Sequence, residues 1–296
     1  MNISYFKVKD EAYIIIGSDG LIGGYISQEI QNVASAKNLQ WERQLLIQLD
    51  SYDDIEEQTL NIVNNQLMKS VTSCTVFCAH GKGGFSLKKK TAISQYNQYD
   101  NLLLGLNAVN GIEIIVVLIS SLGAIVSNEK SVYKTLTLMK EERLKKYDFQ
   151  SLAIRLPSLW GIKVQTNEPK GLVGCILDSL NSGKNFTVYG ALETTRNYLY
   201  IETAVQEIMK ILSNYKSSDY VSNLYNLRSR YYYCVGSILS LVKQVIPSVA
   251  LVYTLKQSAL LDRENHTNLA INGVDWIVDN CLNVEIKEAW IHLNRK

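Results

Sequence analysis

Short apolar runs alternate with segments of helical periodicity through the first half of the chain. A continuous apolar run is typical of a strand that is covered on both faces, as in a parallel sheet. The strands predicted on this basis are Ala12 to Ile16, Leu45 to Leu49, Cys74 to Cys78, Ile112 to Ile119 and Leu152 to Arg155. The helices predicted between them are Leu21 to Val33, Ile55 to Met68, Thr91 to Val109 and Ser131 to Tyr147. This alternation predicts an α/β fold with a doubly wound parallel sheet.

Composition and charge exclude several classes of protein. The chain has 296 residues, of which 47% are hydrophobic, and a formal net charge of +2. These values indicate a folded protein and give no support for nucleic-acid binding. The most apolar stretch, Ile112 to Val126, contains Glu113 and is shorter than the roughly 18 to 20 residues of a membrane span. The five cysteines have no metal-ligand spacing and are predicted to be buried free thiols. We therefore expect a soluble, cytoplasmic protein with no membrane segment and no metal site.

A glycine-rich motif, GSDGLIG, follows the first predicted strand and opens the first predicted helix. Glycines in this context allow a tight turn and let a pyrophosphate approach the backbone at the helix N-terminus. The alternative is a tight strand–helix turn that binds nothing. The residues predicted to contact a dinucleotide here are Gly17, Ser18, Asp19, Gly20, Leu21, Ile22 and Gly23.

The GxxGxxG spacing resembles the glycine loop of the extended short-chain dehydrogenase/reductase superfamily, in the branch of epimerases, dehydratases and keto-reductases that act on nucleotide sugars. Further motifs similar to those of the family follow in order. They are CAHG at 78–81, LISS at 118–121, a tyrosine 12 residues after Ser121, RLPSLWG at 155–161, FTVYG at 186–190, TRNYLYIE at 195–202 and YNL at 225–227.

The resemblance implies an overall organisation. We expect a Rossmann-type domain that binds NAD or NADP over residues 1–163 and a smaller mixed α/β substrate-binding part over residues 164–296, intertwined with the first. Relatives pair through two long helices, which would here be Thr91 to Val109 and Ser131 to Tyr147. The expected partners are therefore a nucleotide sugar and a second copy of the chain.

The same resemblance implies roles for particular side chains. Tyr133 would donate or accept a proton while hydride passes to or from the nicotinamide, and Ser121 would hold the substrate oxygen beside it. The other residues that would contact the cofactor are Asp50, Cys78 and Ala79. The residues that would bind the nucleotide sugar are His80, Lys82, Ser158 and Arg196, with Arg196 on the diphosphate.

The family's catalytic lysine is missing from this sequence. Thr137 stands four residues after Tyr133, where the family has the lysine that lowers the pKa of the tyrosine. Helix geometry places Lys134 about 100° around the helix and Lys140 roughly 10 Å along it, so neither is well placed to replace the lysine. Three further departures from the family pattern are Ser158, Asn197 and Thr203.

Two functions stay open on these residues. The ordered motifs favour an NAD(P)-dependent oxidoreductase, epimerase or dehydratase of nucleotide sugars. The missing lysine favours a degraded family member that binds a dinucleotide for a structural, sensing or docking role. The cofactor is open too: if the second strand lies at Asn38 to Gln44, Glu42 would favour NAD and Arg43 would favour NADP.

Overall fold

One large sheet of eight described strands organises the chain in the computed structural model. The structure describes residues 2–39, 71–81, 87–126, 131–217, 222–247, 252–256 and 272–294, together with the backbone of residues 41–48. The predicted helix Ile55 to Met68 and the candidate residues Asp50 and Lys82 lie outside these ranges.

The described elements are numbered in chain order. The strands are β1 (Asn2–Val8), β2 (Glu11–Ile16), β3 (Trp41–Gln48), β4 (Ser73–Cys78), β5 (Glu113–Ser121), β6 (Gln150–Leu156), β7 (Ser158–Ile162), β8 (Pro169–Lys170), β9 (Phe186–Tyr189), β10 (Thr195–Tyr200), β11 (Leu224–Ser229), β12 (Tyr232–Cys234), β13 (Tyr253–Lys256) and β14 (Val274–Val278). The helices are α1 (Leu21–Ala36), α2 (Lys89–Asn107), α3 (Leu122–Val126), α4 (Val132–Leu144), α5 (Gly171–Ser182), α6 (Ile201–Ser217), α7 (Val235–Val245) and α8 (Leu282–Asn294).

The predicted doubly wound α/β sheet is confirmed. Its strand order is β14-β11-β6-β5-β4-β2-β1-β3, and neighbours are parallel except where β1 takes part. The central strand β5 shows the physical reason, since its side chains alternate between two core layers. Ile115 and Val117 pack with the helix α6, whereas Val116 and Leu118 pack with α2. Helices on both faces leave no solvent-exposed side, so β5 reads as a continuous apolar run.

The structure corrects the expected beginning of the chain. The sequence 2–8 carries no predicted strand, yet it forms β1, which runs antiparallel between β2 and β3. Its side chains alternate between the two core layers, with Ile3 and Tyr5 in one and Phe6 in the other. Asn2, Ser4 and Lys7 hide this alternation in the sequence, because they lower the mean hydropathy of the segment.

The expected end of the second strand at Gln44 is also wrong. The predicted strands at 38–44 and 45–49 form one strand, β3, with its first residues at the amino end of the sheet. Lys7 pairs with both Ala12 and Glu42, whereas Ile3 pairs with Ile16 beside the glycine loop. Glu42 and its neighbour Arg43 therefore lie at the edge opposite the glycine loop, and neither selects between NAD and NADP.

Residues after position 163 contribute to both parts of the molecule. They supply β11 and β14 of the large sheet and most of a smaller sheet with the order β12-β10-β7-β8. A third pair, β13 and β9, is parallel. The division of the chain at residue 163 stays a prediction.

A buried ion pair joins helix α4 to the large sheet. The guanidinium of Arg155 on β6 donates to both carboxylate oxygens of Glu141 on α4, at 2.6 and 2.9 Å. The two side chains are only 6% and 5% exposed. Ser120 on β5 donates to the same carboxylate at 2.6 Å, and Arg155 also donates to the carbonyl of Asn272 at 2.9 Å. Because every charged oxygen has a donor, the desolvation of the pair is offset by hydrogen bonds.

Replacing one member of this pair is expected to destabilise the fold strongly. Arg155→Met leaves the Glu141 carboxylate buried without its cation, which costs about 3 to 5 kcal/mol of unfolding free energy. The double variant Arg155→Met/Glu141→Gln removes both charges and is expected to regain most of that loss. Denaturant titration measures both values.

The exposed pair of Lys145 and Glu142 supplies the matched control. Lys145→Met is expected to change the unfolding free energy by less than about 1 kcal/mol, because solvent screens this pair. An Arg155→Met variant as stable as wild type would contradict the role of the buried pair.

Candidate functional site

The glycine motif forms the expected turn between β2 and α1. Gly17 has a φ of +88°, and a Cβ there would lie 2.9 Å from the Cα of His80. A Cβ at Gly23 would lie 2.2 Å from the carbonyl oxygen of Gly17. Glycine is therefore required at both positions, because the turn and the loop after β4 pack backbone against backbone. Helix α1 begins at Gly20 without a side-chain cap, so its first N–H groups are available to an anion.

Neighbouring strands and loops hold the glycine loop in place. Ser18 is buried, and its hydroxyl accepts a hydrogen bond from the Ser4 hydroxyl of β1 at 2.9 Å. The Gln165 side chain donates to the Ser18 carbonyl at 2.9 Å. The loop after β7 thus crosses the glycine loop, and Lys163 of that loop lines the space above it.

Three connected cavities lie at the carboxyl ends of the strands. The first, the glycine-loop cleft, has a volume of about 530 Å³ and is lined by Gly17, Asp19, Gly20, Ala79, Lys90 and Lys163, among others. The second, the inner cavity, has about 200 Å³ and is lined by Ile22, His80, Gln95, Thr137 and Lys140, among others. The third, the outer cavity, has about 600 Å³ and is lined by Ser158, Leu159, Tyr189, Arg196 and Tyr198, among others.

Shared wall residues connect these cavities. Ala79 and His80 line both the glycine-loop cleft and the inner cavity. Ser121 and Tyr133 line both the inner and the outer cavity. A groove therefore runs from the glycine loop, past Tyr133, to Arg196. This groove lies at the carboxyl edge of the parallel strands, where open α/β sheets bind ligands.

Ser121 and Tyr133 meet between the inner and outer cavities. Ser121 ends β5 and Tyr133 lies in the first turn of α4, which Ser131 caps by accepting from the N–H of Lys134 at 3.0 Å. Burial raises the pKa of Tyr133 above its ordinary value, and the hydrogen bond from Ser121 lowers it by less. No positive charge of the described residues contributes to this pKa.

Thr137 occupies the position of the missing lysine. Its hydroxyl donates to the backbone carbonyl of Tyr133 at 2.9 Å, and its side chain is buried at the wall of the inner cavity. It supplies no charge to the tyrosine. The protonated form of Tyr133 is therefore strongly favoured at neutral pH.

Lys140, which was predicted to be poorly placed to replace the missing lysine, lies at the wall of the inner cavity. The side chain is 8% exposed and lines the inner cavity, with its Nζ 5.3 Å from the centre of the Tyr99 ring. Burial lowers the pKa of Lys140 to about 8. The spacing between Tyr133 and Lys140 indicates that both residues lie on the same face of α4. It does not indicate how far the four-carbon side chain of Lys140 extends along the helix towards the cavity.

His80 shares this cavity with Lys140. Its two ring nitrogens are buried and have no hydrogen-bond partner among the described residues. Burial and the nearby Lys140 charge hold the pKa of the imidazole well below its ordinary value. His80, which was predicted to bind the nucleotide sugar, lines the inner cavity and the glycine-loop cleft, and its role stays a prediction.

The remaining candidate cofactor residues lie partly in the core and partly at the cavities. Cys78 is 2% exposed and belongs to the core, where burial raises the pKa of its thiol to about 12. Ala79 lines the cleft. Leu21 packs against the core, whereas Ile22 reaches the inner cavity.

The cysteines differ in their exposure. Cys74 is buried like Cys78, but Cys175 and Cys281 are exposed, so the expectation of buried thiols is wrong for these two.

Two of the departures from the family pattern belong to one buried hydrogen-bond network. The Asn197 amide donates to the carbonyls of Ser229 and Tyr231 at 2.8 and 3.0 Å and accepts from the N–H of Ser229 at 2.7 Å. An aspartate could not make the two donations. Thr203 donates to Glu285 at 3.0 Å, where an aspartate would face a second carboxylate. Asn197 thus joins β10 to β11, and Thr203 joins α6 to α8.

The described part of the chain has neither a cluster of metal ligands nor a helix of membrane-spanning character. Within it, no three His, Cys, Asp or Glu side chains lie close enough together to hold a metal ion. None of its helices is long and apolar enough to cross a membrane.

Solved structures share this architecture over almost the whole chain. UDP-glucose 4-epimerase from Thermotoga maritima, with UDP-glucose, is similar with a TM-score of 0.68 and 16% identity over 95% of this chain and 98% of its own. UDP-glucuronic acid 4-epimerase from Bacillus cereus, with UDP-glucuronic acid and NAD, gives 0.65 and 12% over 95% and 98%. An NAD-dependent NDP-hexosamine 5,6-dehydratase of tunicamycin biosynthesis gives 0.68 and 14% over 95% and 97%.

The sequence itself matches no family model and no curated protein. Identities of 12 to 16% establish the likeness at the level of the fold. The fold of this chain is that of these nucleotide-sugar epimerases and of this dehydratase.

Proposed function

We propose that this chain is an NAD(P)-dependent enzyme that acts on a nucleotide-linked sugar. The observation that carries the proposal is the position of Tyr133, which is hydrogen-bonded by Ser121 where the inner and outer cavities meet. Two ligands, one from the glycine loop and one from Arg196, would come together at this hydroxyl. The structure of the Bacillus cereus UDP-glucuronic acid 4-epimerase contains both UDP-glucuronic acid and NAD, which supports this pairing.

The residues around the glycine loop fit a dinucleotide. Gly17 and Gly23 let a ligand approach the backbone of the loop, because neither leaves room for a side chain, and helix α1 begins without a side-chain cap, so its first N–H groups can bind an anion. Asp19 also lines the cleft. Lys90 and Lys163 add positive charge to the cleft wall. These residues would hold the pyrophosphate of NAD or NADP, which supplies a hydride donor or acceptor when it is bound.

The outer cavity supplies groups that suit a nucleotide sugar. The planar guanidinium of Arg196 can bind diphosphate oxygens in pairs. Ser158 lines the same cavity and offers a hydroxyl to the ligand. Ser121 would hold the reacting sugar oxygen, and Tyr133 would transfer a proton at that oxygen. The burial of Tyr133 keeps bulk water away from the transfer.

The protonation of Tyr133 favours one direction of reaction. A tyrosine whose pKa is raised by burial is protonated at neutral pH and can donate to the oxygen of a carbonyl as it is reduced. Proton acceptance needs the ionised form, which burial disfavours and which Thr137 does not stabilise. We therefore propose keto-reduction as the reaction that this site supports best, ahead of epimerisation or dehydration.

A second candidate function rests on Thr137. Without a cation beside Tyr133, the chain would bind a dinucleotide for a structural, sensing or docking role. Asn197 and Thr203 no longer add weight to this alternative, because both satisfy buried partners of their own. Thr137 and Ser158 remain as the departures that favour it.

Homodimerisation through α2 and α4 is part of the proposal. The two helices pack together, and each carries exposed apolar side chains. They are Ile93 and Leu104 on α2 and Leu138 and Met139 on α4, between 38% and 52% exposed. A second copy of the same pair of helices would bury these side chains in an interface with two-fold symmetry.

The dimer is tested by the mass of the protein in solution. Wild type is expected to be a dimer by light scattering. Met139→Glu is expected to be a monomer, because it buries a charge on the proposed interface. Ile291→Glu, an equally exposed apolar position on α8, is the control and stays dimeric. A monomeric wild type contradicts the dimer.

The glycine-loop cleft and the outer cavity are expected to bind different ligands independently. Calorimetry of wild type should detect NAD or NADP and, separately, UDP. Arg196→Gln is expected to weaken UDP binding about tenfold or more, because a charged hydrogen-bond donor is lost. Its affinity for the dinucleotide is expected to stay the same. Wild type that binds neither dinucleotide contradicts the proposed function.

Restoring a lysine is expected to increase turnover. Thr137→Lys places a cation one helical turn from Tyr133, which lowers the pKa of the tyrosine and favours its ionised form. The rise is expected to be larger for oxidation of a sugar hydroxyl than for reduction, and the pH at half-maximal rate should fall. The measurement is dinucleotide reduction with UDP-glucose, UDP-glucuronic acid and UDP-N-acetylglucosamine.

Thr137→Met controls for bulk without charge and is expected to leave the rate at or below that of wild type. If dinucleotide is bound but neither wild type nor Thr137→Lys turns over any nucleotide sugar, the second candidate function is favoured.

A further inference from the structure

The strand beside the glycine loop comes from an unexpected part of the chain. In doubly wound sheets that bind a dinucleotide, the strand after the glycine-loop helix lies directly beside the strand before the loop. Here the strand after α1 is β3, and β1 lies between β3 and β2. Because neighbouring strands are about 4.8 Å apart, β3 lies about 10 Å from β2 instead of about 5 Å.

The direction of β1 decides which of its residues reach the edge at the glycine loop. β1 runs antiparallel to both neighbours, so its first residues, not its last, lie at the carboxyl edge of the parallel strands. Ile3 pairs with Ile16, the last residue of β2, and Asn2 pairs with Gln48, the last residue of β3. Position 2 therefore lies at the edge where the neighbouring strand of other such sheets ends.

Strand β1 is an integral part of the sheet and not a loosely attached arm. Ile3, Tyr5 and Phe6 are at most 2% exposed, and they pack into both core layers. Ser4 is fully buried, and its hydroxyl donates to Ser18 of the glycine loop at 2.9 Å. A ligand held by the glycine loop therefore lies beside the beginning of β1.

The two strands present no charged residue type at this edge. A dinucleotide is selected at the ribose of its adenosine, where an acidic residue bonds the free hydroxyl of NAD and a basic residue accommodates the phosphate of NADP. The sequences that meet at the edge are NISY at 2–5 and QLLIQ at 44–48, without an acidic or basic residue. The charged residues Lys7, Glu42 and Arg43 lie towards the opposite edge.

We propose that β1 replaces the strand that ordinarily selects the dinucleotide, that residue 2 is the selecting position, and that NAD and NADP therefore bind with similar affinity. This assignment rests on the proposed function. Asparagine is uncharged and both donates and accepts hydrogen bonds, so this residue type suits a ribose hydroxyl and a phosphate alike. Lys90 and Lys163 would hold the pyrophosphate, which both dinucleotides share, and do not select between them.

Calorimetric titration of the full chain with NAD and with NADP tests the proposal. Wild type is expected to bind the two with dissociation constants within about threefold of each other. Asn2→Asp is expected to prefer NAD about tenfold or more, because a carboxylate accepts from ribose hydroxyls and repels a phosphate. Asn2→Arg is expected to prefer NADP by a similar factor, because a guanidinium binds the phosphate.

Two substitutions at the opposite edge of the sheet are matched to these variants in charge. Arg43→Gln lowers the net charge by one, as Asn2→Asp does, and Glu42→Gln raises it by one, as Asn2→Arg does. Both are expected to keep the wild-type ratio of affinities, because they lie far from the glycine-loop edge. If they shift the ratio as strongly as the variants at position 2, the effect comes from the overall charge and the assignment is overturned.

A pair of ligand fragments locates the effect at the ribose. Adenosine 5′-monophosphate and adenosine 2′,5′-bisphosphate differ only in the phosphate that distinguishes NADP from NAD. Asn2→Arg is expected to favour the bisphosphate and Asn2→Asp the monophosphate, each by the factor measured with the dinucleotides. The melting temperatures of both variants verify that they are folded.

The outcomes separate this inference from the proposed function. If wild type binds one dinucleotide about tenfold or more tightly than the other, or if folded variants at position 2 keep the wild-type ratio, the inference is overturned and the function stands. Asp50, outside the described residues, is the alternative selecting residue, and a ratio that changes only in Asp50→Asn overturns the assignment as well. If wild type binds neither NAD nor NADP, both proposals are overturned.

Discussion

The buried ion pair between Glu141 and Arg155 fixes the helix that carries Tyr133 against the sheet that carries Ser121. Arg155 binds both oxygens of the carboxylate, and Ser120 binds one of them from β5. The contact of Tyr133 with Ser121 depends on this clamp, because the tyrosine lies eight residues from Glu141 on the same rigid helix. A shift of α4 along the sheet would break several charged hydrogen bonds at once, so the position of the tyrosine is well defined.

Burial has opposite consequences for the two ionisable residues that α4 presents to the cavities. It keeps Tyr133 protonated, and it disfavours the charged form of Lys140. A fold selected for stability alone would place an apolar side chain at position 140. A buried lysine without an ion-pair partner among the described residues, beside a His80 without a hydrogen-bond partner among them, is typical of a binding site, where a ligand supplies the missing partners.

The departures from the family pattern separate into two groups once the contacts are known. Asn197 and Thr203 belong to a network with Ser229 and Glu285 that holds the smaller sheet to the large one. Their side chains match the donors and acceptors around them, so their change has a packing reason. Thr137 differs, because it faces the inner cavity and removes a charge from it. Thr137 and, in the outer cavity, Ser158 are therefore the two departures that bear on activity.

The sequence by itself determined the parallel sheet and the order of its motifs. Apolar runs and helical periodicity are local properties, so β5, α1 and α4 were predictable to within a few residues, and so was the spacing of Ser121 and Tyr133. The tertiary structure alone decided the rest. Strand β1 could not be predicted, because its polar residues lower its mean hydropathy. The edge of the sheet at which Glu42 lies depends on the register of β3 against β1. The proximity of His80 and Lys140 arises from packing between two distant segments, and burial, which no local pattern encodes, sets their charge.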